Sequence, residues 1–216
     1  YIDLMIATLL PTGAVAGMSY AQMIYTLPIS LFGMSVAAAE LPQMASQTGT
    51  DEEIAAALRK RLDRGLRQIA FFVVPTSVAF VFIGRVLVAA LFEHGDFGPQ
   101  STLIVWYILA GSTIGLLVAT LGRLYSSTFY ALGDTRTPVR YAIARVIAGT
   151  AFAWLLAFPL RSLLVAMATA IGAPLPQVAG GPAALGAVGI AAASGIAAWI
   201  EYLLLRRGIR RRIGDG

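Results

Sequence analysis

The residues with the most chemistry in them sit where charge is expensive. Asp3, Glu40, Arg123, Arg145 and Glu201 are ionisable groups in or beside long apolar runs. A charge facing hydrocarbon costs several kcal/mol unless it meets a partner or a water-filled cavity, so such groups mark a pathway by default. Arg145 and Glu201 fall near the ends of their runs, where long side chains reach the interface. Arg123 lies about one turn from an end, and Glu40 is also close to one. Asp3 stands in a short run whose depth the sequence does not give. Three neutral groups, Tyr20, Gln22 and Tyr25, add hydrogen-bonding capacity to one stretch. Aromatic and amide groups of this kind suit a sugar or peptide headgroup, and the competing reading is an interfacial aromatic belt.

No catalytic constellation accompanies them. There is no Ser/His/Asp set, phosphate-binding glycine loop or dinucleotide fingerprint. Cysteine is absent, which excludes disulfides and thiolate metal sites. The one histidine, His94, lies between Glu93 and Asp96 in a short polar turn, and a solvated turn explains all three. No metal, cofactor or enzymatic activity is expected.

The element that must carry the polar groups is the stretch Gly13 to Ser46. Its apolar part, from about Ala14 to Ala45, is long enough to cross a bilayer, yet it holds Tyr20, Gln22, Tyr25 and Glu40. It is predicted to line the interior of a membrane bundle. Pro28 removes a backbone donor and should kink the helix. A kink in a polar-lined helix suits a hinge, although neighbouring helices in a bundle also absorb prolines.

The rest of the chain reads as surrounding helices. Apolar residues make up 58% and charged residues 12% of 216, about half the charge of a soluble domain, so the class is a helical membrane protein. Residues 1–11 are too short to cross a core of about 30 Å and read as a partial span. Pro11-Thr12-Gly13 makes a turn. Tyr1 lies in an apolar run without an initiator Met, which predicts a piece of a longer protein. Thr50 and Glu53 fit a capping box. Ile54, Leu58, Leu62, Leu66 and Ile69 then form one helical stripe beside Arg59, Lys60, Arg61, Arg64 and Arg67, so residues 50–68 read as an amphipathic helix lying on the membrane surface. Further spans are expected at 69–92, 101–127, 139–158 and 183–205. Gly111 and Gly115 in one, and Ala187, Ala191 and Gly195 in another, have the spacing that lets helices approach closely. Thr137 as N-cap and Pro138 at the first helical position start the span at 139. Residues 159–182 read as a loop, with an apolar stretch from Leu163 to Ile171 for which an interfacial and a re-entrant placement both stay open.

Charge fixes a predicted orientation. If the 46–67 loop is cytoplasmic, fourteen of the sixteen bases fall on that side: in this loop, around 128–142, and at the C-terminus from Arg206 to Arg212. Only Arg85 and Arg161 fall opposite, a strong positive-inside bias. Basic loops beside a membrane meet anionic headgroups, so the net charge of +5 needs no nucleic acid.

Three stretches carry a resemblance. Tyr20-Ala21, Leu27-Pro28, Phe32-Gly33 and Leu41-Pro42 resemble the eighth helix of the MurJ/MviN family, the lipid II flippases of the multidrug/oligosaccharidyl-lipid/polysaccharide exporter superfamily. The run Leu91-Phe92-Glu93-His94-Gly95-Asp96-Phe97 resembles that family's loop between helices nine and ten. The run from Phe129 to Pro138, with Gly133, Asp134, Arg136, Thr137 and Pro138, resembles the cytoplasmic loop after helix ten. Order and spacing agree from residue 1 to about 145, and hydropathy alone agrees beyond.

The resemblance implies an all-α polytopic bundle of about six transmembrane helices, one of them truncated. These would be helices seven to twelve of fourteen, the C-terminal lobe of a two-lobed transporter in the bacterial inner membrane. It implies transport of an undecaprenyl-linked disaccharide-pentapeptide to the outer leaflet by alternating access. Its implied partners are membrane lipids, that glycolipid substrate, an N-terminal lobe of the same protein, and cell-wall synthesis proteins. Cavity arginines would hold the pyrophosphate. The cavity candidates are Asp3, Tyr20, Gln22, Met23, Tyr25, Glu40 and Arg123, with Pro28 and Pro42 as hinge or structural residues. One departure stands out: where many members carry Asp-Arg directly after Tyr-Ala, this sequence has Gln22-Met23. A flippase for another polyprenyl-linked glycan, an ion-coupled exporter and a non-transporting membrane scaffold therefore stay open as alternatives.

Overall fold

Thirty-two residues, from Ala14 to Ala45, run as one continuous helical rod of three segments. These are α2 (Ala14–Pro28), a π-helical stretch at Ile29–Met34, and α3 (Ser35–Ala45). They belong to a computed structural model that describes residues 2–10, 13–170, 172 and 185–213. The turn expected at Pro11-Thr12 and most of the Gly/Pro-rich end of 159–182 lie outside the described residues.

The π stretch begins directly after Pro28. Proline has no N–H for the carbonyl one turn back, and its ring crowds that carbonyl. The turns after Pro28 widen to an i→i+5 pattern, and the rod continues without a break. The Ser35 hydroxyl follows the same register and donates to the Ser30 carbonyl, 3.3 Å away and five residues back. At Gly33 the widened segment lies flat on α6 (Pro99–Ala131), where a Cβ would stand 2.7 Å from the Thr120 methyl. Pro42 sits exposed inside α3, and the helix continues past it to Ala45.

α6 is the axis of the bundle. At about 1.5 Å per residue its 33 residues exceed the thickness of the bilayer core. Leu109, Leu116, Leu124 and Phe129 are fully buried along it. Against one side packs α9 (Gly186–Ile213), whose Ile190, Ala193 and Leu205 are equally buried. The small residues allow this: a Cβ on Gly115 would fall 2.4 Å from the Gly195 Cα, so the two backbones touch. Without a hydrophobic drive between helices in lipid, such close contact is what holds them together. α7 (Arg136–Ala157) closes on the other side of α9, with Gly149 facing Ala197. The short helices α1 (Ile2–Ala7) and α8 (Arg161–Ala170) complete the array. Among the described residues, five helical rods are long and apolar enough to cross a membrane.

The segment 50–68 differs from expectation. It is no separate surface helix but the first part of α4 (Asp51–Phe82), which continues without a break into the next span. Its apolar stripe faces protein rather than lipid: Leu58, Leu62, Ile69 and Val73 are buried, and Gly65 lies against Leu124 and Val36. An amphipathic pattern states only that one face is covered, and here other helices cover it. The capping box is present, with Thr50 Oγ1 accepting from the Glu53 amide and the Glu53 carboxylate accepting from the Thr50 amide. A break at Ile83 separates α4 from α5 (Gly84–Phe92). Phe71, Phe82 and Val86 point outward, as suits a surface covered by hydrocarbon chains.

The turn from α6 to α7 also departs in detail. Gly133 at φ 72° ends α6, with its amide bonded to the Tyr130 carbonyl and the Asp134 amide to the Phe129 carbonyl. This is the Schellman arrangement, which needs the left-handed conformation that glycine adopts at no steric cost. Asp134, not Thr137, then caps α7. Its carboxylate accepts from the amides of Arg136 and Thr137, each at 3.0 Å, and from the Thr137 hydroxyl at 2.7 Å. Pro138 falls at the third helical position, still in the first turn where its missing donor costs nothing. The same carboxylate pairs with Arg212 of α9 at 2.6 Å. The bonds from Thr137, with the Arg212 guanidinium beside them, hold Asp134 below the usual carboxylate range. A carboxyl with a depressed folded pKa stabilises above its unfolded value and loses that contribution as pH falls through the folded one. Asp134→Ala is therefore expected to lower the thermal midpoint by a constant amount at neutral pH. That difference should shrink below about pH 4, as thermal unfolding across pH will check.

Candidate functional site

The polar face of α2 opens onto a cleft between α1, α6, α7 and α9. Gln22, Tyr25 and Thr26 line a volume of about 830 Å³ together with Asp3, Met23, Arg145 and Ser194. The same three residues of α2 line a neighbouring volume of about 660 Å³, shared with Arg123, Arg145 and Glu201. A third, of about 430 Å³, lies between α1, α7 and α9 and is bordered by Asp3, Arg145, Ser194 and Glu201. Arg145 borders all three, so its guanidinium is the hub of one branched cleft.

The cleft has a definite charge arrangement. Arg145 Nη1 stands 2.9 Å from Glu201 Oε2, an ion pair between α7 and α9. Glu201 is the more buried partner, with its side chain 16% exposed against 38% for Arg145. Asp3 Oδ2 accepts from the Ser194 hydroxyl at 2.6 Å, which ties α1 to α9. Arg123 is exposed and has no ion-pair partner among the described residues. Tyr25 is half-buried within electrostatic reach of both Arg145 and Arg123. Gln22 Nε2 donates to Thr26 Oγ1 at 3.2 Å, a local bond on an exposed face. Chemically, the cleft offers two guanidiniums, two carboxylates already engaged, and a row of neutral donors and acceptors. A planar guanidinium at such a junction binds a phosphate or carboxylate through paired donors.

The structure separates the expected site residues into two groups. Asp3, Gln22, Met23, Tyr25 and Arg123 meet at the cleft. Tyr20 and Glu40 do not. Tyr20 packs its ring 4.8 Å from Phe92 and 5.1 Å from Phe97, an aromatic cluster under the loop after α5. Glu40 pairs with Arg61 at 3.4 Å and belongs to the contact between α3 and α4. The loop residues Gly133 to Pro138 form the helix junction already described. His94 is exposed. Sequence reasoning set Arg145 and Glu201 aside as residues near helix ends. The signal that would have kept them is their opposite charge on separate apolar helices, since an intramembrane base and acid satisfy each other most cheaply as a pair. Ser194 gave no such signal, because a serine among small residues reads as packing.

A family profile described as "Lipid II flippase MurJ" matches residues 1–179. The chain belongs to the MurJ family. A relative from Rhizobium meliloti, "Probable lipid II flippase MurJ", is 32% identical over 194 residues, covering 89% of this chain and 31% of its own length. "Lipid II flippase MurJ" of Burkholderia cenocepacia is 28% identical over 212 residues, covering 98% of this chain and 36% of its own. The chain thus spans about a third of the length of these MurJ relatives. A solved structure, "Lipid II flippase MurJ, inward closed conformation", superposes with a TM-score of 0.78 at 22% identity, over 97% of this chain and 38% of that one. At that identity the match concerns the fold, an all-α membrane bundle. MurJ membership and the long apolar helices together make this a multi-pass protein of the bacterial inner membrane, in a family of transporters.

Proposed function

We propose that this chain is the C-terminal lobe of a flippase that moves a lipid-linked peptidoglycan precursor, lipid II, from the inner to the outer leaflet. The observation that carries the reading is the branched cleft centred on Arg145, on a family fold whose named relatives are lipid II flippases. The pyrophosphate needs cationic donors, and Arg145 and Arg123 supply them on this side of the cavity. Tyr25, Gln22 and Thr26 offer hydrogen bonds to sugar or peptide groups. The N-terminal lobe supplies the facing wall, and the two lobes rock about the substrate. The rod with its π stretch after Pro28 is the element best built to bend, because a π turn is a weak point in the i→i+4 ladder.

The orientation follows the charge count, with the basic ends in the cytoplasm. Two contacts support it by bringing those ends together: Asp134 with Arg212, and Arg59 donating to the Ile213 carbonyl. A second reading, a flippase for another polyprenyl-linked glycan, is favoured by one observation. Gln22 and Met23, neutral residues, occupy the cleft wall where many members carry an acid and a base.

Restoring that charge pair tests the choice. Met23 is 62% exposed, so an arginine fits there without displacing a neighbour. Gln22→Asp with Met23→Arg in the full-length protein is expected to raise the lipid II exposed on the outer leaflet, measured by its accessibility to an externally added lipid II-degrading enzyme. An unchanged or lower level at equal protein abundance would count against lipid II as the cargo.

A further inference from the structure

At the basic end of the bundle lies a second pocket, which shares no lining residue with the cleft. About 440 Å³ opens between the first half of α4, the last turns of α6 and the end of α9. Arg59, Arg206 and Arg210 line it, with the phenols of Tyr125 and Tyr202 and one carboxylate, Asp63. We propose that this pocket binds the phosphate of an anionic lipid headgroup, holding the end of α9 to α4.

Three observations carry it. The first is charge: Arg59 and Arg206 against the one carboxylate, Asp63, leave the pocket about one charge positive, which matches the single negative charge of a phosphate diester. The second is the state of the guanidiniums. Arg206 is half-buried, and among the described residues it makes no hydrogen bond or ion pair. Arg59 is fixed from one side only, its Nε and one Nη donating to the Ile213 carbonyl. A partly desolvated cation without a partner is costly, and a bound anion removes the cost. The third is the setting. Tyr125 and Tyr202 meet edge to face with ring centres 5.6 Å apart, and Trp199, one turn earlier along α9, also meets Tyr202 edge to face. Aromatic rings with polar edges beside a row of arginines are the side chains found at headgroup depth. A soluble phosphate has the same recognition chemistry, but the aromatic wall favours a headgroup whose acyl chains continue into the bilayer.

The test uses the purified full-length protein in a neutral detergent with phosphatidylcholine. Phosphatidylglycerol, or inorganic phosphate in a separate arm, is titrated in while the thermal midpoint is followed. Stabilisation by phosphatidylglycerol is expected, with about fivefold weaker apparent affinity in Arg206→Gln, from a contribution of about 1 kcal/mol per base. Arg207→Gln, an exposed neighbour outside the pocket, should behave as the native protein. Arg206→Lys should recover part of the affinity, and Arg210→Gln serves if Arg206→Gln does not fold. Stabilisation by inorganic phosphate with the same Arg206 dependence assigns the pocket to a soluble phosphate. No stabilisation by either, or equal losses in Arg206→Gln and Arg207→Gln, would overturn the site.

Discussion

Full-length protein carrying Arg145→Gln is expected to lose about tenfold to a hundredfold in lipid II transport. The figure follows from one hydrogen-bonded charge to a phosphate, about 1.5–3 kcal/mol. The variant should also accumulate to a lower level, because Glu201 is the more buried partner of the pair and is left without its cation. Removing one member of such a pair costs more than removing both. The double variant Arg145→Gln with Glu201→Gln separates the two effects. It keeps complementary amides between α7 and α9, so abundance is expected to return. Transport is not expected to return, since the guanidinium at the hub of the cleft is still missing. Recovery of transport in the double variant would make the pair a structural strut only. The measurement is outer-leaflet lipid II normalised to the inserted protein.

Gly115→Ala is expected to cost as much as a poorly placed core substitution, about 1–3 kcal/mol, although it adds one methyl group. That methyl would lie 2.4 Å from the Gly195 Cα and 3.1 Å from its carbonyl oxygen. Both are backbone atoms and cannot turn aside, so α6 and α9 must part along their length. Gly122→Ala is the control on the same helix, with its nearest neighbour the Leu205 side chain at 3.8 Å. A fall in thermal midpoint for Gly115→Ala, with none for Gly122→Ala, is the predicted pattern. Gly115→Leu should leave no folded protein to measure. The consequence for function is indirect but large: the α6–α9 seam carries Ser194 and Glu201, hence both tethers of the cleft.

The sequence was most legible where one physical rule acted alone. The long apolar helices followed from hydropathy, and the small-residue stripes at Gly111, Gly115 and Gly195 marked faces for close packing without saying that α6 and α9 share them. The capping box at Thr50 and Glu53 was readable because its partners are three residues apart. The cleft was only half legible. Asp3, Gln22, Tyr25 and Arg123 stood out as polar groups in apolar runs, but which face of the helix each occupies depends on neighbours that hydropathy does not place. Tyr20 thus went to an aromatic cluster and Glu40 to Arg61. The pair of Arg145 with Glu201 joins residues 56 apart, a relation no local pattern contains. The helix over 50–68 misled for a related reason: amphipathicity reports a covered face without saying whether lipid or protein covers it. At the start of α7, Asp134 took the capping role expected of Thr137. The glycine-ended turn delivers its carboxylate to the first free amides, and Thr137 becomes one of its donors.

The most direct test of the account is growth. The full-length protein is expressed in bacterial cells depleted of their own lipid II flippase, and growth is scored together with outer-leaflet lipid II. Restored growth with restored exposure, both lost again in Arg145→Gln, is the predicted result. Failure to restore either, with the protein inserted and abundant, would contradict the account and remove lipid II as its substrate.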